Sequence, residues 1–249
     1  MPDLVVTETG NILWARMNRA SKANSISREV TDLYADALAE LGRRPELKGL
    51  IWMSNSETLF SGGVDLKRPD GFDDQQASEW RTAIITDLVM ATLNCRRPVV
   101  TAARGRMIGG AFLNAISCDR IVAAETATFQ LPEVKIGIGS PIAASIVEHA
   151  SNVGLAQDLL LSAREMSAGE LQAAGVHCVP VKADELEDTA VEAIETFAAM
   201  PAEAFGYMKA WFQKPRVAAL EEAMRYTAAT RAGRNDEVSA TVNRFFSKA

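Results

Sequence analysis

The chain alternates short apolar runs with stretches whose apolar residues recur every three or four positions. It opens with LVVTETGNILWARMN, which predicts two short strands around the turn Thr9-Gly10-Asn11. Beyond the loop RASKANSI, residues Val30, Leu33, Tyr34, Ala37, Leu38 and Leu41 fall at helical spacing. Ser27 reads as the N-cap of that helix and Gly42 as its stop. After Pro45, GLIWMS is a nearly unbroken apolar run, the pattern of a strand buried on both faces. The next segment, FSGGVDLKRPDGFDDQQ, is polar, Gly-rich and long for a connector. A helix over roughly 79–95 follows, then the strand PVVTAARG, then a helix opening at the glycine pair of MIGGAFLNAISCD. DRIVAAE and ATFQLPE predict two further strands, and Ser140-Pro141 opens a helix with an N-cap serine and proline at its first position. From about 152 the pattern is helical except for a strand, VHCVPV, near 176–181. Past 195 only helices are predicted, with stops near Pro201 and Pro215 and with Phe205, Trp211, Phe212, Phe245 and Phe246 as large apolar groups. The expectation is an α/β core over 1–195 and a helical C-terminal region over 196–249.

Composition narrows the function classes. A chain of 249 residues, 48% apolar and 23% charged, buries a sizeable core. The net charge is −6 and no dense Lys/Arg run occurs, so nucleic acid is not an expected partner. No apolar stretch reaches the ~18 residues a membrane span needs. MPDLVVTETG has no basic segment followed by an apolar one, so it does not read as a secretory signal. Cys95, Cys118 and Cys178 are widely spaced and read as reduced thiols of a cytoplasmic protein, not as a zinc site or disulfide framework.

Two segments carry candidate chemistry: FSGGVD at 60–65 and RGRMIGGAF at 104–112. Each follows a predicted buried strand, and each has adjacent glycines, which let backbone approach a ligand closely. At Gly109-Gly110 a helix begins, so free N–H groups and the positive end of the helix dipole point outward. Two such turns converging on one point would form an oxyanion hole of backbone N–H groups. The spacing of a phosphate-binding P-loop is absent.

These residues resemble the crotonase (enoyl-CoA hydratase/isomerase) superfamily. FSGGVDLK is similar to its motif F-[SC]-A-G-x-D-[LI]-K. PVVTAARGRMIGGAFLNAISCDRIVAAETATFQLPEVKIGI follows the family's longest signature, from P-V-I-A-A-V-N-G to F-x-x-P-E-x-x-x-G. MNRASKANSIS and LLLSAREMSAGELQAAGVHCVP match further motifs, in order, across nearly the whole chain. The resemblance implies a spiral of β-β-α units with a helical C-terminal region that assembles trimers, often doubled to hexamers. It implies an acyl-CoA thioester as substrate, with coenzyme A part of that substrate and no separate cofactor or metal. The implied oxyanion donors are the N–H groups of Val64 and Gly110. The implied substrate-binding positions are Ser61, Gly62, Gly63, Asp65, Leu66 and Lys67 on the first turn and Gly109 and Leu113 on the second. Lys22 and Ala23 in the N-terminal loop, and Pro132 and Ser140 around the glutamate of the P-E motif, complete that set.

Hydratases of the family place two glutamates around one water. By position these are Leu113 and Glu133 here, so one carboxylate remains. Hydration needs a group to activate water and a group to protonate the α-carbon. A double-bond shift needs only one base, which takes a proton from the α-carbon and returns it at the γ-carbon. An apolar neighbour keeps water away and raises that carboxylate's pKa. The Leu113/Glu133 pairing resembles family 3,2-enoyl-CoA isomerases, so isomerisation is favoured, with an altered hydratase or a non-catalytic acyl-CoA binder as alternatives. Ser140 reads first as an N-cap, with a substrate hydrogen bond as its second reading. Lys22 and Lys67 suit the phosphates of coenzyme A on an acidic protein. Arg104 and Arg106 either pair with a carboxylate such as Asp119 or meet a charged substrate group. The segment RNDEVSATVNRFF resembles the family's E-G-x-x-A-F tail, with Val238 in place of the glycine.

Overall fold

The computed structural model describes residues 2–231 of the chain. Phe245, Phe246 and Val238, with the tail motif they belong to, lie outside the described residues. Two sheets organise the fold. The larger has six strands in the order β1 (Leu4–Thr9), β2 (Ile12–Met17), β3 (Gly49–Ser54), β5 (Val99–Ala103), β7 (Arg120–Ala124), β10 (Cys178–Val181). β1 and β2 form an antiparallel hairpin, and all the other pairings are parallel. The smaller sheet orders β4 (Leu59–Ser61), β6 (Arg106–Ile108), β8 (Thr128–Gln130) and β9 (Glu165–Ser167). Its first three strands are parallel and β9 is antiparallel to β8.

Every residue of β3 is buried, as its unbroken apolar run predicts. Leu50 and Trp52 point into the main core, which α1 (Arg28–Arg43) and α2 (Asp74–Asn94) cover. Ile51 and Met53 point the other way, against Leu186, Ala190 and Ile194 of α7 (Leu186–Ala198). Tyr34, Trp52 and Phe60 stack in the main core, tying α1, β3 and β4 together. The remaining helices are α3 (Gly110–Ala115), α4 (Pro141–Ala150), α5 (Val153–Ser162), α6 (Ala168–Ala173) and α8 (Ala202–Arg231). α8 lies back on α4 and α2.

Several boundaries differ from the pattern-based expectation. α1 runs through Gly42 to Arg43, because Leu41 stays packed in the core and Arg44 caps the helix through its N–H to Glu40. α2 starts at Asp74, five residues before the periodic stretch suggests. Asp73 and Gln76 form a reciprocal capping box there, hidden in an acidic polar run. The short strand β9 interrupts the helical stretch after 152. Pro215 lies inside α8 and does not stop it. Arg104 and Arg106 do not meet Asp119. Arg104 faces Glu57 at 3.7 Å and donates to the Ala183 carbonyl, while Arg106 bonds Glu165 at 2.6 Å. Asp119 is taken instead by Lys209 of α8, at 2.6 Å, and by the N–H of Val99.

Candidate functional site

The smaller sheet builds the site. β4 ends into Gly62-Gly63, β6 ends into Gly109-Gly110, and β8 leads through Pro132 to Glu133. Because β4, β6 and β8 are parallel neighbours, all three leave the sheet at the same edge, where α/β folds gather their ligands. The turns touch. A Cβ on Gly63 would lie 3.6 Å from the nitrogen of Gly110 and 3.1 Å from the carbonyl oxygen of Ile108. Gly63 has φ +94° and Gly109 φ +56°, a region costly for residues with a side chain. A Cβ on Gly110 would collide with the Val64 side chain at 2.8 Å and with Ile85 of α2 at 2.9 Å.

Both candidate donors are available. Ile26 pairs in parallel with Val64 by donating to the Gly63 carbonyl and accepting from the Asp65 N–H. That pattern turns the Val64 N–H away from Ile26, and it meets no acceptor among the described residues. Gly110 is the first residue of α3, where an N–H has no intrahelical partner. Gly109 just before it is fixed by its own N–H to the Gln130 carbonyl, which ties the second turn to β8.

Glu133 lies against this pair. Its Oε1 is 3.1 Å from the position a Gly109 Cβ would occupy, and its Oε2 is buried without a hydrogen-bond partner among the described residues. The glutamate opens a single 3-10 turn, Glu133–Ile136, closed by Gly137 at φ +75°. Burial pushes its pKa up to about 7, opposed by its own backbone N–H. Leu113, one helical turn beyond Gly110, is buried, as are all the residues of α3.

The first turn is braced from outside the site. Ser61 is buried, and its hydroxyl accepts the Gly63 N–H. Gly62 donates to the carbonyl of Ala23 at 2.9 Å, so the 19–25 loop and the 62–67 loop form one rim. Asp65 faces this rim and not the glycine pair: its carboxylate bonds Arg19 at 2.8 Å and caps the N–H of Lys67. Arg19 also reaches Asp3 at 2.6 Å and Ser25. Asn24, buried and left-handed at φ +48°, joins the same loop to Ser54 and Leu59. Arg19 and Asn24 carry no role in the sequence reading. The one signal for Asn24 was its residue type, since asparagine tolerates left-handed backbone.

Lys22 and Lys67 stand exposed on that rim and form no ion pair among the described residues. Arg68 is engaged with Asp74 at 2.9 Å. Leu66 is half-buried beside them. Ser140 caps α4 by accepting the Ala143 N–H. Among the described residues no group of three or more His, Cys, Asp or Glu is placed to hold a metal. A cavity of about 360 Å³ lies under the first half of α8, lined among others by Phe197, Phe205, Lys209 and Arg216, and it does not include the glycine turns.

A sequence model described as enoyl-CoA hydratase/isomerase matches residues 7–247. The carboxymethylproline synthase of Pectobacterium carotovorum subsp. carotovorum is 28% identical over 207 residues, 83% of this chain and 82% of that one. A probable enoyl-CoA hydratase of Rhizobium meliloti is 27% identical over 227 residues, 90% of this chain and 86% of that one. The crystal structure of an enoyl-CoA hydratase from Mycobacterium avium subsp. paratuberculosis superposes with a TM-score of 0.80 at 24% identity, covering 97% of this chain and 96% of that one. The spiral of parallel strand pairs, the two abutting glycine turns and a match spanning nearly all of the sequence lead to one assignment: the chain belongs to the enoyl-CoA hydratase/isomerase family.

Proposed function

We propose that this enzyme shifts a double bond in an acyl-CoA thioester, converting a 3-enoyl-CoA into a 2-enoyl-CoA, with Glu133 as the single proton shuttle. The observation that carries the reading is one carboxylate whose Oε2 is buried with no hydrogen-bond partner among the described residues, set against the glycine pair. The corresponding position on α3 is Leu113. The thioester oxygen accepts from the N–H groups of Val64 and Gly110, which lowers the energy of the enolate. Glu133 takes the α-proton, the electron pair delocalises through the carbonyl and the β,γ double bond, and Glu133 returns the proton to the γ-carbon. A pKa near 7 suits a group that must both accept and give a proton at neutral pH. Lys22 and Lys67 receive the phosphates of coenzyme A at the rim, with Ala23 and Leu66 beside them.

Hydration is the second reading, favoured by the names of relatives such as the Rhizobium meliloti protein. It needs a second group to hold water, and Asp65, the other carboxylate on these turns, is occupied by Arg19. A labelling experiment separates one shuttle from two groups. A 3-enoyl-CoA deuterated at the α-carbon should deliver part of its label to the γ-carbon in the first turnovers. A γ-position filled wholly from solvent at the earliest times would argue against a single shuttle. We also propose a homotrimer or homohexamer built through the region over 196–249.

A further inference from the structure

Arg81 stands out on α2. It is half-buried, yet no carboxylate pairs with it among the described residues. Its guanidinium has five donors. One of them reaches the Leu66 carbonyl at 3.5 Å, the outer limit of a hydrogen bond. The nearby acid, Asp74, is already bonded to Arg68 at 2.9 Å. Burial holds Arg81 below the usual arginine pKa, with Asp74 opposing that shift and Arg68 adding to it. A partly desolvated cation with no protein carboxylate paired with it among the described residues gains from an anionic partner.

Its position says what that partner would be attached to. Arg81 precedes Ile85 by four residues, so both project from one face of α2. Ile85 reaches to 2.9 Å of where a Gly110 Cβ would sit. Leu66 lies two residues beyond Val64. Arg81 therefore sits where α2 meets the 62–67 loop, one helical turn from the Ile85 side chain that abuts Gly110. Apolar groups adjoin the charged side chains of Arg68, Asp74 and Arg81: Val64 and Trp80 pack against the core, and Trp80 meets Phe72 edge to face.

We infer that Arg81 binds a carboxylate carried by the acyl chain, so that the substrates are acyl-CoA thioesters whose chain bears a second, free acid group. The inference rests on the reading that the thioester carbonyl sits between Val64 and Gly110. A carboxylate meets the planar guanidinium through two parallel hydrogen bonds, a geometry a lysine cannot reproduce. Discrimination follows, because a neutral chain leaves the half-buried cation without an anionic partner.

Binding tests this without turnover, so a failure of the isomerase reading does not confuse it. Hexanoyl-CoA and the matching saturated thioester whose chain ends in a carboxylate would be titrated by calorimetry into the wild type, Arg81→Gln and Arg81→Lys. The wild type should favour the carboxylate-bearing thioester by about tenfold or more. The preference should vanish in Arg81→Gln and return only in part in Arg81→Lys. A wild type that binds both equally overturns the inference, even if the variants fail to fold. So does a preference retained in Arg81→Gln. Equal weakening of both thioesters by Arg81→Gln would assign the arginine to the coenzyme A phosphates and overturn it as well.

Discussion

Charge and burial conflict at Glu133. Its pKa of about 7 lies above the ordinary 4.5, so folding disfavours the ionised form. Stability tied to this group is fully present below about pH 4.5 and falls as pH rises through 7, by an amount on the order of 3 kcal/mol. Glu133→Gln removes that dependence. Measured by urea unfolding, the variant should gain on the wild type between about pH 5 and about pH 8.5. A constant difference would mean that the carboxylate is better solvated than its buried Oε2 indicates. Activity should run the opposite way. Turnover at limiting substrate should climb with pH and level off above an apparent pKa near 7, and Glu133→Gln should lower it by roughly 10² to 10⁴. Glu133 was legible as a candidate only through the aligned P-E motif; nothing in its own neighbourhood of sequence announces that Oε2 would be buried without a partner. Leu113 was legible in the same way, by what it replaces.

At the scale of elements, three strand ends do the positioning. The adjacent glycines of FSGGVD and RMIGGAF were readable because glycine adopts positive φ, here +94° at Gly63 and +56° at Gly109, more freely than residues with a side chain. That the turns abut, so that a Cβ on Gly63 would lie 3.6 Å from the Gly110 nitrogen, was not readable, since it follows from the parallel pairing of β4, β6 and β8. Gly109→Ala should therefore harm more than a surface glycine change. It forces a Cβ into left-handed backbone and to 3.1 Å of the Glu133 carboxylate. A loss of about 1–3 kcal/mol with a larger loss of turnover is expected; wild-type kinetics in a folded Gly109→Ala would separate this glycine from the site. The brace on the first turn was hidden for another reason. Arg19 and Asp65 are 46 residues apart, and no local pattern links them. Arg19→Ala and Asp65→Ala, combined in a double-mutant cycle, should couple by about 0.5–3 kcal/mol. Additive effects would mean that the 2.8 Å pair does not hold the rim.

Over the whole molecule, the long helix α8 decides how the C-terminal region sits. Pattern reading stops it at Pro215, because proline removes a helical hydrogen bond and costs about 3 kcal/mol in a helix interior. The structure carries α8 past that point because both flanks are anchored. Lys209 is buried against Asp119, and Arg216 donates to the Ile116 carbonyl. Further along, Leu220 and Ala223 are buried in the main core. Lys209→Ala strands Asp119 in a buried setting and should cost about 3–5 kcal/mol by chemical denaturation; a loss below about 1 kcal/mol would place the pair in solvent. Beside that anchor, Tyr207, Met208, Trp211 and Phe212 stand exposed along one stripe of α8. Size-exclusion chromatography with light scattering should find a trimer or hexamer, and a monomeric wild type would contradict the proposed assembly.

The proposed double-bond shift by one carboxylate beside two backbone donors has a direct test. The direct measurement is product analysis by mass spectrometry and NMR, giving purified enzyme a 3-enoyl-CoA and, in parallel, a 2-enoyl-CoA. Conversion of the first to its 2-enoyl isomer, no addition of water to the second, and neither reaction in Glu133→Gln are expected. Rapid hydration of the 2-enoyl-CoA would contradict it, and would mean that a group other than a second glutamate on α3 holds the attacking water.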